Sequence, residues 1–389
     1  MLGVSMALAA FGCGSEDSPA ARAVGDGGGR GGTSGNGGTG GSSAGTGGAD
    51  GGALSDSGNV VKKGNRLLGM HVAEGQNEEY GAALTAALGL GVEVIDIAMP
   101  WGSLETRCNP PTYDPTFVGY FDAISAVFPT QGIKVGFVVL GPVNTNVKEV
   151  PADVASSSLD DPSLIACFNG MLDFVLPKLS SAELVSFAIG NEIDGYLGQN
   201  SARWSEFSSF FSATSAHAKS KRPGLRVGSV ATLGGLLGGS RSFLLELNQK
   251  TDLVLFTDYG LEQDFTVKPS SSVASDWDEL VSLYPGKKIH AQEAGHPSSA
   301  ACSSSEALQA EWFSSVYATW DRHPEELELV YIAFLTDWNP ATIDQTASYY
   351  GLNDPRFKGF LGSLGLRRWD TSHKLSFTRI GQESALRGF

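Results

Sequence analysis

The chain has 389 residues, 50 of them glycine, with a formal net charge of -15 and a pI near 4.8. This acidic balance excludes the basic groove that nucleic-acid binding requires and gives no attraction to anionic lipid surfaces, so neutral substrates remain open. The length allows two average domains, or one large barrel with an additional unstructured segment.

The N-terminal residues form a short run of small and apolar side chains that ends at Cys13. The ending Ala-Ala-Phe-Gly-Cys resembles a bacterial lipoprotein signal, in which the cysteine becomes the lipid-modified N-terminus. We therefore expect residues 1–13 to be a signal peptide, with Cys13 as the lipidation site. The expected location is the bacterial cell envelope, as an outer-membrane lipoprotein facing the periplasm or the exterior, with secretion as the alternative. No other stretch reaches the roughly 18 apolar residues of a membrane span, so membrane attachment is expected only through the lipid.

Residues 14–64 are predicted to be a disordered linker rich in Gly and Ser. Between about Gly25 and Gly58 the segment has no aromatic residue and almost no bulky aliphatic one. It has too little apolar surface to offset the entropy of ordering. Residues 65–389 remain as a single folded domain, which is ample for one large core.

In this domain, short β-branched runs alternate with longer helical stretches, as is typical of a parallel sheet built from βα units. Eight runs are predicted to be strands: Leu67–Val72, Val92–Ala98, Ile133–Leu140, Leu184–Ile189, Leu225–Val230, Leu253–Thr257, Lys288–Gln292 and Leu329–Leu335. The predicted helices include Glu79–Leu88, Ser163–Leu179, Ala202–Lys219, Trp277–Tyr284 and Ser305–Arg322. Because eight parallel strands close a barrel, the predicted fold class is α/β, a (β/α)8 TIM barrel preceded by the Gly-rich tether. A doubly wound open sheet is the alternative, disfavoured because Val-Ala-Glu-Gly-Gln follows the first strand instead of a Gly-rich phosphate loop.

Two glutamates stand at strand ends, where barrel enzymes carry their catalytic residues. The fourth strand ends in Ile-Gly-Asn-Glu, with Glu192, and the seventh in Gln-Glu-Ala-Gly, with Glu293. Strands four and seven face each other across the mouth of a barrel, so the two carboxylates are predicted to converge. Cleavage of a glycosidic bond needs such a pair, one acid for the leaving oxygen and one nucleophile for the anomeric carbon, about 5–5.5 Å apart in retaining enzymes.

The motifs Gly-Asn-Glu after strand four and Gln-Glu-Ala-Gly after strand seven resemble those of glycoside hydrolase clan A, with families 53, 17 and 5 nearest. The resemblance implies that Asn191 hydrogen-bonds the 2-hydroxyl of the sugar, that Glu192 is the acid/base and that Glu293 is the nucleophile. It also implies that Tyr259, after strand six, steadies the nucleophile. Trp338, after strand eight, would form the floor of the sugar subsite.

Three further residues at strand ends are candidates for sugar contact. Trp101 follows strand two and could stack on a sugar ring, with packing at the barrel rim as the alternative. His71 and Glu74 follow strand one and could bind hydroxyls, with loop solvation as the alternative. Asp194 and Asp258 are expected to shape loops or set pKa values rather than to react.

The predicted chemistry needs no cofactor and no metal. His290 and His296 lack the i, i+4 spacing of a helical zinc pair. Near neutral pH the two carboxyls must differ in protonation, so we expect a raised pKa for Glu192 and an ionised Glu293, aided by Tyr259.

The cysteines other than Cys13 are widely separated, at 108, 167 and 302, and can form at most one disulfide. Cys108 with Cys302 is the expected pair, because both are predicted in loops at one end of the barrel. Three unpaired thiols, with Cys167 in a helix, are the alternative.

The predicted function is that of a monomeric, endo-acting retaining glycoside hydrolase that cleaves a β-linked oligo- or polysaccharide. A non-catalytic carbohydrate-binding lipoprotein on the same barrel is the alternative. A serine or metal hydrolase is disfavoured, because the domain has neither a G-x-S-x-G elbow nor an H-E-x-x-H motif.

Overall fold

A computed structural model describes residues 60–389 of the chain. The predicted signal with Cys13 and residues 14–59 of the predicted linker lie outside the described residues. The described part is a parallel barrel surrounded by helices, which confirms the predicted fold class.

Eight strands form the barrel, and each coincides with one of the predicted runs. They are β1 Leu67–Met70, β2 Val94–Pro100, β3 Lys134–Asn144, β4 Leu184–Asn191, β5 in two pieces (Val227–Gly228 and Val230–Thr232), β6 Leu253–Asp258, β7 Lys288–Ala294 and β8 Leu327–Ile332. All neighbouring strands are parallel, and β8 pairs with β1. The barrel closes through β5, whose first piece pairs with β4 and whose second piece pairs with β6.

Eight helices cover the outside of the barrel. They are α1 Tyr80–Leu88, α2 Pro115–Val127, α3 Pro162–Lys178, α4 Ser201–Lys221, α5 Arg241–Asn248, α6 Ser272–Leu283, α7 Glu306–Arg322 and α8 Leu375–Arg387. Short helices lie in the loops, at Trp101–Leu104, Ile193–Leu197, Leu233–Leu237, Pro340–Tyr350 and Pro355–Leu361. Several helices begin where the sequence supplies a cap: Asp114 and Asp161 each accept a backbone N–H and precede a proline, which suits the first helical position. None of the helices within residues 60–389 is long and apolar enough to cross a membrane.

The core lies in two layers, inside the barrel and between the barrel and its helices. Phe137, Phe187 and Phe256 face the helices and are fully buried. Inside the barrel the ring of Tyr331 fills the space between strands, and a Cβ at Gly69 or Gly136 would collide with it. The side chains alternate across each strand, so the same strands that bury this core also deliver residues to the mouth.

The disulfide joins Cys108 to Cys167, with a Cα–Cα distance of 5.5 Å. The predicted Cys108–Cys302 pair is therefore wrong, because Cys302 is buried in a separate cluster beside Phe357 and Phe360. Cys108 belongs to a small hairpin, Glu105–Cys108 with Pro111–Tyr113, that packs beside α3. Within residues 60–389, the one His/Cys/Asp/Glu cluster close enough to hold a metal contains both of these cysteines, whose sulfurs the disulfide occupies.

A buried ion network ties the start of β1 to the end of α8. Asp321 accepts a hydrogen bond from Arg66 at 2.8 Å and another from Arg387 at 2.7 Å. Arg387 also donates to Glu383 at 2.7 Å, and the backbone N–H of Lys63 donates to the Arg387 carbonyl at 3.0 Å. Because Arg66 immediately precedes β1, this network lies at the N-terminal ends of the strands, opposite the mouth.

Candidate active site

The C-terminal ends of the strands open into a cavity of about 350 Å³. Glu192 and Glu293 both line it, so the structure brings together the two carboxylates that the sequence singles out. The cavity volume falls in the range of small-molecule sites. Four more of the predicted site residues also line it: His71, Asn191, Tyr259 and Trp338.

Glu192 stands at a sharp turn between β4 and the helix Ile193–Leu197. Its φ of 44° lies in the left-handed region, which is strained for a residue other than glycine and is often found at functional sites. The hydroxyls of Thr145 and Thr257 donate to its two carboxylate oxygens at 2.8 and 2.7 Å. Burial raises the pKa of Glu192, while these two hydroxyls act in the opposite direction.

Glu293 lies on an irregular part of β7, where the pairing register shifts against both neighbouring strands. Such irregularities redirect side chains next to active sites. The Tyr259 hydroxyl donates to one Glu293 carboxylate oxygen, which is the contact that the sequence predicted. The ring of Tyr259 lies so close to Gly295 that a Cβ there would approach it to 2.9 Å. Gly295, which follows Glu293 and Ala294, thus leaves room for the Tyr259 ring.

The two carboxyls are electrostatically coupled. Burial and the charge of Glu192 raise the pKa of Glu293 to about 8, while the Tyr259 hydrogen bond lowers it. We expected a raised pKa for Glu192 alone and an ionised Glu293. The structure corrects this expectation, because burial acts on both groups and their charges repel each other. Burial and repulsion therefore favour a proton on the pair, and that proton belongs to the pair rather than to one residue.

The orientation of Asn191 is fixed by a chain of hydrogen bonds that sequence reasoning missed. The Asn191 amide nitrogen donates to Asn144 at 3.3 Å, and Asn144 donates to the Tyr349 hydroxyl at 3.3 Å. Tyr349 in turn donates to Glu149 at 2.7 Å. This arrangement leaves the buried Asn191 Oδ1 without a hydrogen-bond partner within the described part of the chain. A buried acceptor without a partner calls for an explanation, and Asn191 lines the cavity.

A third carboxylate, Asp96 from β2, also lines the cavity. Gln292 donates to Asp96 at 2.7 Å, and the His71 Nδ1 lies 3.8 Å from its other oxygen. Burial raises the pKa of Asp96. The sequence signal for this residue was one acid inside the apolar strand Val-Ile-Asp-Ile-Ala-Met-Pro. In residues 60–389, no Lys or Arg lines the cavity, so the site offers carboxylates and hydroxyls to a neutral ligand.

Two of the predicted sugar contacts do not line the cavity. Trp101 is fully buried and does not line the cavity; its indole N–H donates to Glu105 at 2.8 Å and its ring packs edge-on against Phe168. Trp101 therefore packs in the core at the barrel rim, which was the alternative to stacking on a sugar ring. Glu74 also lies away from the cavity lining. Burial raises the pKa of Tyr80 and of Tyr120, and the charge of Glu74 raises both further.

The loop acids have the structural role that the sequence suggested. Asp194 accepts hydrogen bonds from the backbone and side chain of Thr232, at 2.8 and 2.6 Å. Asp258 accepts from the Trp277 indole and from the Gly260 N–H, at 2.8 and 2.9 Å. Both carboxylates therefore hold loop backbone in place beside the mouth.

Trp338 lies on the side of the cavity formed by the segment between β8 and α8. Its ring packs against Phe334 with 4.8 Å between centroids, and its indole nitrogen has no hydrogen-bond partner within residues 60–389. This segment carries a separate hydrophobic cluster that includes Phe357 and Phe360. Tyr350, from the same segment, also lines the cavity. Burial raises its pKa, and the charges of Glu192 and Glu293 raise it further.

No protein-family model and no curated protein matches the sequence. Solved structures with a similar fold include a GH5_18 from Streptomyces cattleya in complex with GlcNAc, at 15% identity and a TM-score of 0.63, covering 82% of this chain and 80% of that one. The exo-beta-1,4-mannosidase Op5Man5 from Opitutaceae bacterium strain TAV5 is 14% identical with a TM-score of 0.61, covering 86% and 63%. The GH53 catalytic domain of Ignisphaera aggregans is 13% identical with a TM-score of 0.58, covering 85% and 99%. These likenesses show that the chain has the barrel fold of these glycoside hydrolases.

Proposed function

We propose that this protein is a retaining glycoside hydrolase of the clan A type, with Glu192 as acid/base and Glu293 as nucleophile. The observation that carries the proposal is the placement of both glutamates, from the ends of β4 and β7, in one cavity together with Asn191. The Tyr259 hydroxyl on Glu293 supports the nucleophile role. The similarity of fold to GH5_18 and GH53 structures is consistent with it.

In the first half-reaction the Glu293 carboxylate attacks the anomeric carbon, and the bond from that carbon to the leaving oxygen breaks. The proton of the coupled pair, held by Glu192, passes to the leaving oxygen. Forming the ester removes the charge of Glu293, so the pKa of Glu192 falls and its carboxylate can accept a proton from water. The water oxygen then binds the anomeric carbon, and Glu293 leaves as a carboxylate.

Asn191 and Tyr259 are proposed to support these steps without reacting. The unpartnered Asn191 Oδ1 accepts the 2-hydroxyl of the sugar, an interaction that strengthens as charge develops on the ring. Tyr259 stabilises the carboxylate form of Glu293, which is the form that attacks. His71, Trp338 and Asp96 line the same cavity and are proposed to contact the sugar.

The test is hydrolysis of β-glucans, galactans, mannans and xylans by the full chain, with Glu192→Ala and Glu293→Ala alongside. Glu325→Ala is the matched control, because this glutamate is 86% exposed. Both site variants should lose activity by several orders of magnitude, and the control should keep it. Added azide should rescue Glu293→Ala with inversion and Glu192→Ala with retention at the anomeric carbon, which separates the two roles. Equal sugar binding by all variants with no cleavage would instead support the carbohydrate-binding alternative.

Endo action, attachment through Cys13 and a monomeric state are further proposals. Endo action predicts that long products appear early in the digestion of a polymer. Lipidation predicts that the protein incorporates a labelled fatty acid and that Cys13→Ser does not, which places the protein in the cell envelope. Sedimentation equilibrium of a Cys13→Ser protein should give the mass of one chain.

A further inference from the structure

One side of the cavity is lined mainly by polar residues and the other mainly by apolar residues. The residues that reach it from the ends of β1, β2, β4 and β7 are mainly polar, and they include all three carboxylates. The loop between β6 and α6 and the segment between β8 and α8 supply mainly apolar residues. The partly or largely exposed apolar members are Leu261, Phe265, Phe334 and Leu352, which we call the apolar wall. Leu352 is 38% exposed.

This wall offers no hydrogen-bond partner to the hydroxyls of a sugar. Every sugar ring carries hydroxyls around its edge, and a hydroxyl that loses water without gaining a hydrogen-bond partner is destabilised. Leucine and phenylalanine side chains offer no such partner. An apolar group, in contrast, gains free energy in proportion to the area that it removes from water.

The backbone at Phe265 supports a role for the wall in ligand binding. Phe265 has a φ of 62°, a conformation that disfavours a bulky aromatic residue and that glycine or asparagine adopts readily. Its ring packs against Phe357 and Phe360, at 5.1 and 5.9 Å between centroids, and also lines the cavity. Strained residues of this kind cluster at ligand sites, because the surrounding structure must hold them. The strained loop keeps an apolar ring at the cavity.

The wall begins beside the proposed nucleophile. Tyr259 connects the polar and the apolar side of the cavity. Its hydroxyl contacts Glu293, and its ring packs edge-on against Phe360 with 4.9 Å between centroids. Phe360 also contacts Phe265, so Tyr259 and Phe360 connect the apolar wall to the side of the cavity that holds Glu293. Resting on the proposed function, we infer that the substrate is a glycoside that joins a neutral sugar to an apolar alkyl or aryl group, which the apolar wall binds.

The test uses methyl, butyl and octyl β-glycosides of glucose, galactose and mannose, below micelle-forming concentrations. Activity of the full chain is measured as kcat/KM, and binding is measured by calorimetry on Glu293→Gln. Each fully buried methylene improves affinity about fourfold, so the octyl glycoside should exceed the methyl glycoside by roughly tenfold or more. Phe265→Asn, whose new residue tolerates this backbone, and Leu352→Gln should reduce that advantage, measured as the ratio of octyl to methyl kcat/KM. Leu375→Gln is the control, because this leucine is 49% exposed and is not part of the cavity lining.

The outcomes separate this inference from the proposed function. Cleavage of methyl and octyl glycosides with equal kcat/KM overturns the inference while the hydrolase function stands. Preferential binding of the octyl glycoside without cleavage of any glycoside supports the apolar site and overturns the function. If Phe265→Asn weakens methyl and octyl binding equally, the wall only supports the fold and the inference is wrong.

Discussion

Replacing Glu293 by glutamine is expected to stabilise the fold at alkaline pH while abolishing the proposed activity. Glutamine keeps the size of the side chain and an oxygen for the Tyr259 hydroxyl, but it removes a carboxyl that burial and the charge of Glu192 drive toward the neutral form. The folded-state pKa of Glu293 lies above its ordinary value, so the folded protein binds more protons than the unfolded chain between those two pH values. This contribution to stability is present in full below pH 4.5 and is lost as pH rises through about 8.

The magnitude follows from the same pKa values. A rise from 4.5 to about 8 corresponds to an upper bound of about 5 kcal/mol at 1.36 kcal/mol per pKa unit. Glu293 is only partly buried, which reduces the penalty, so we expect Glu293→Gln to be more stable than the wild type by about 1–3 kcal/mol above pH 8. The difference should be near zero at pH 4, where both side chains are neutral.

Urea unfolding at pH 4, 6 and 8.5 measures this difference for the wild type and Glu293→Gln. Glu325→Gln is the control, since an exposed glutamate should give no gain that depends on pH. A Glu293→Gln variant that is no more stable than the wild type at pH 8.5 would refute the raised pKa and the coupling that explains it.

Three further perturbations follow from the structure. Tyr259→Phe removes a hydrogen bond that lowers the pKa of Glu293. The acidic limb of the pH profile of kcat/KM should therefore move to higher pH, and activity should fall roughly tenfold or more. An acidic limb at the wild-type pH would contradict the contact. Cys108→Ser with Cys167→Ser removes a crosslink between residues 59 apart and should lower the free energy of unfolding by about 2–5 kcal/mol, and dithiothreitol should destabilise only the wild type. Asp321→Ala leaves two buried arginines without their shared partner and should reduce stability by about 3–5 kcal/mol in urea unfolding, whereas a loss below 1 kcal/mol would show that the network contributes little.

The strands could be predicted because each is a short run of apolar and β-branched residues buried on both faces. The two glutamates could be predicted because strand ends in a barrel converge whatever their separation in sequence. Tyr259 and Trp338 were found from the family resemblance and also line the cavity.

Other parts of the site depend on contacts that local sequence does not encode. Trp101 and a sugar-stacking tryptophan look alike in sequence, and only the packing against Phe168 distinguishes them. Asp96 is visible in sequence as one acid inside an apolar strand, but only the fold shows that this position faces the cavity. The support of Asn191 by Tyr349 comes from a segment more than 150 residues away, which has no strand periodicity to place it. The disulfide was mispredicted because loop position alone does not determine the distance between two cysteines.

The ion network around Asp321 also fixes the position of the first described residues on the barrel. It fastens Arg66, and with it the preceding residues 61–64, to the last turn of α8 on the underside of the barrel. Residues 61–64 therefore lie on the underside of the barrel, while the cavity opens on the top. The first described residues and the mouth of the cavity thus lie at opposite ends of the barrel.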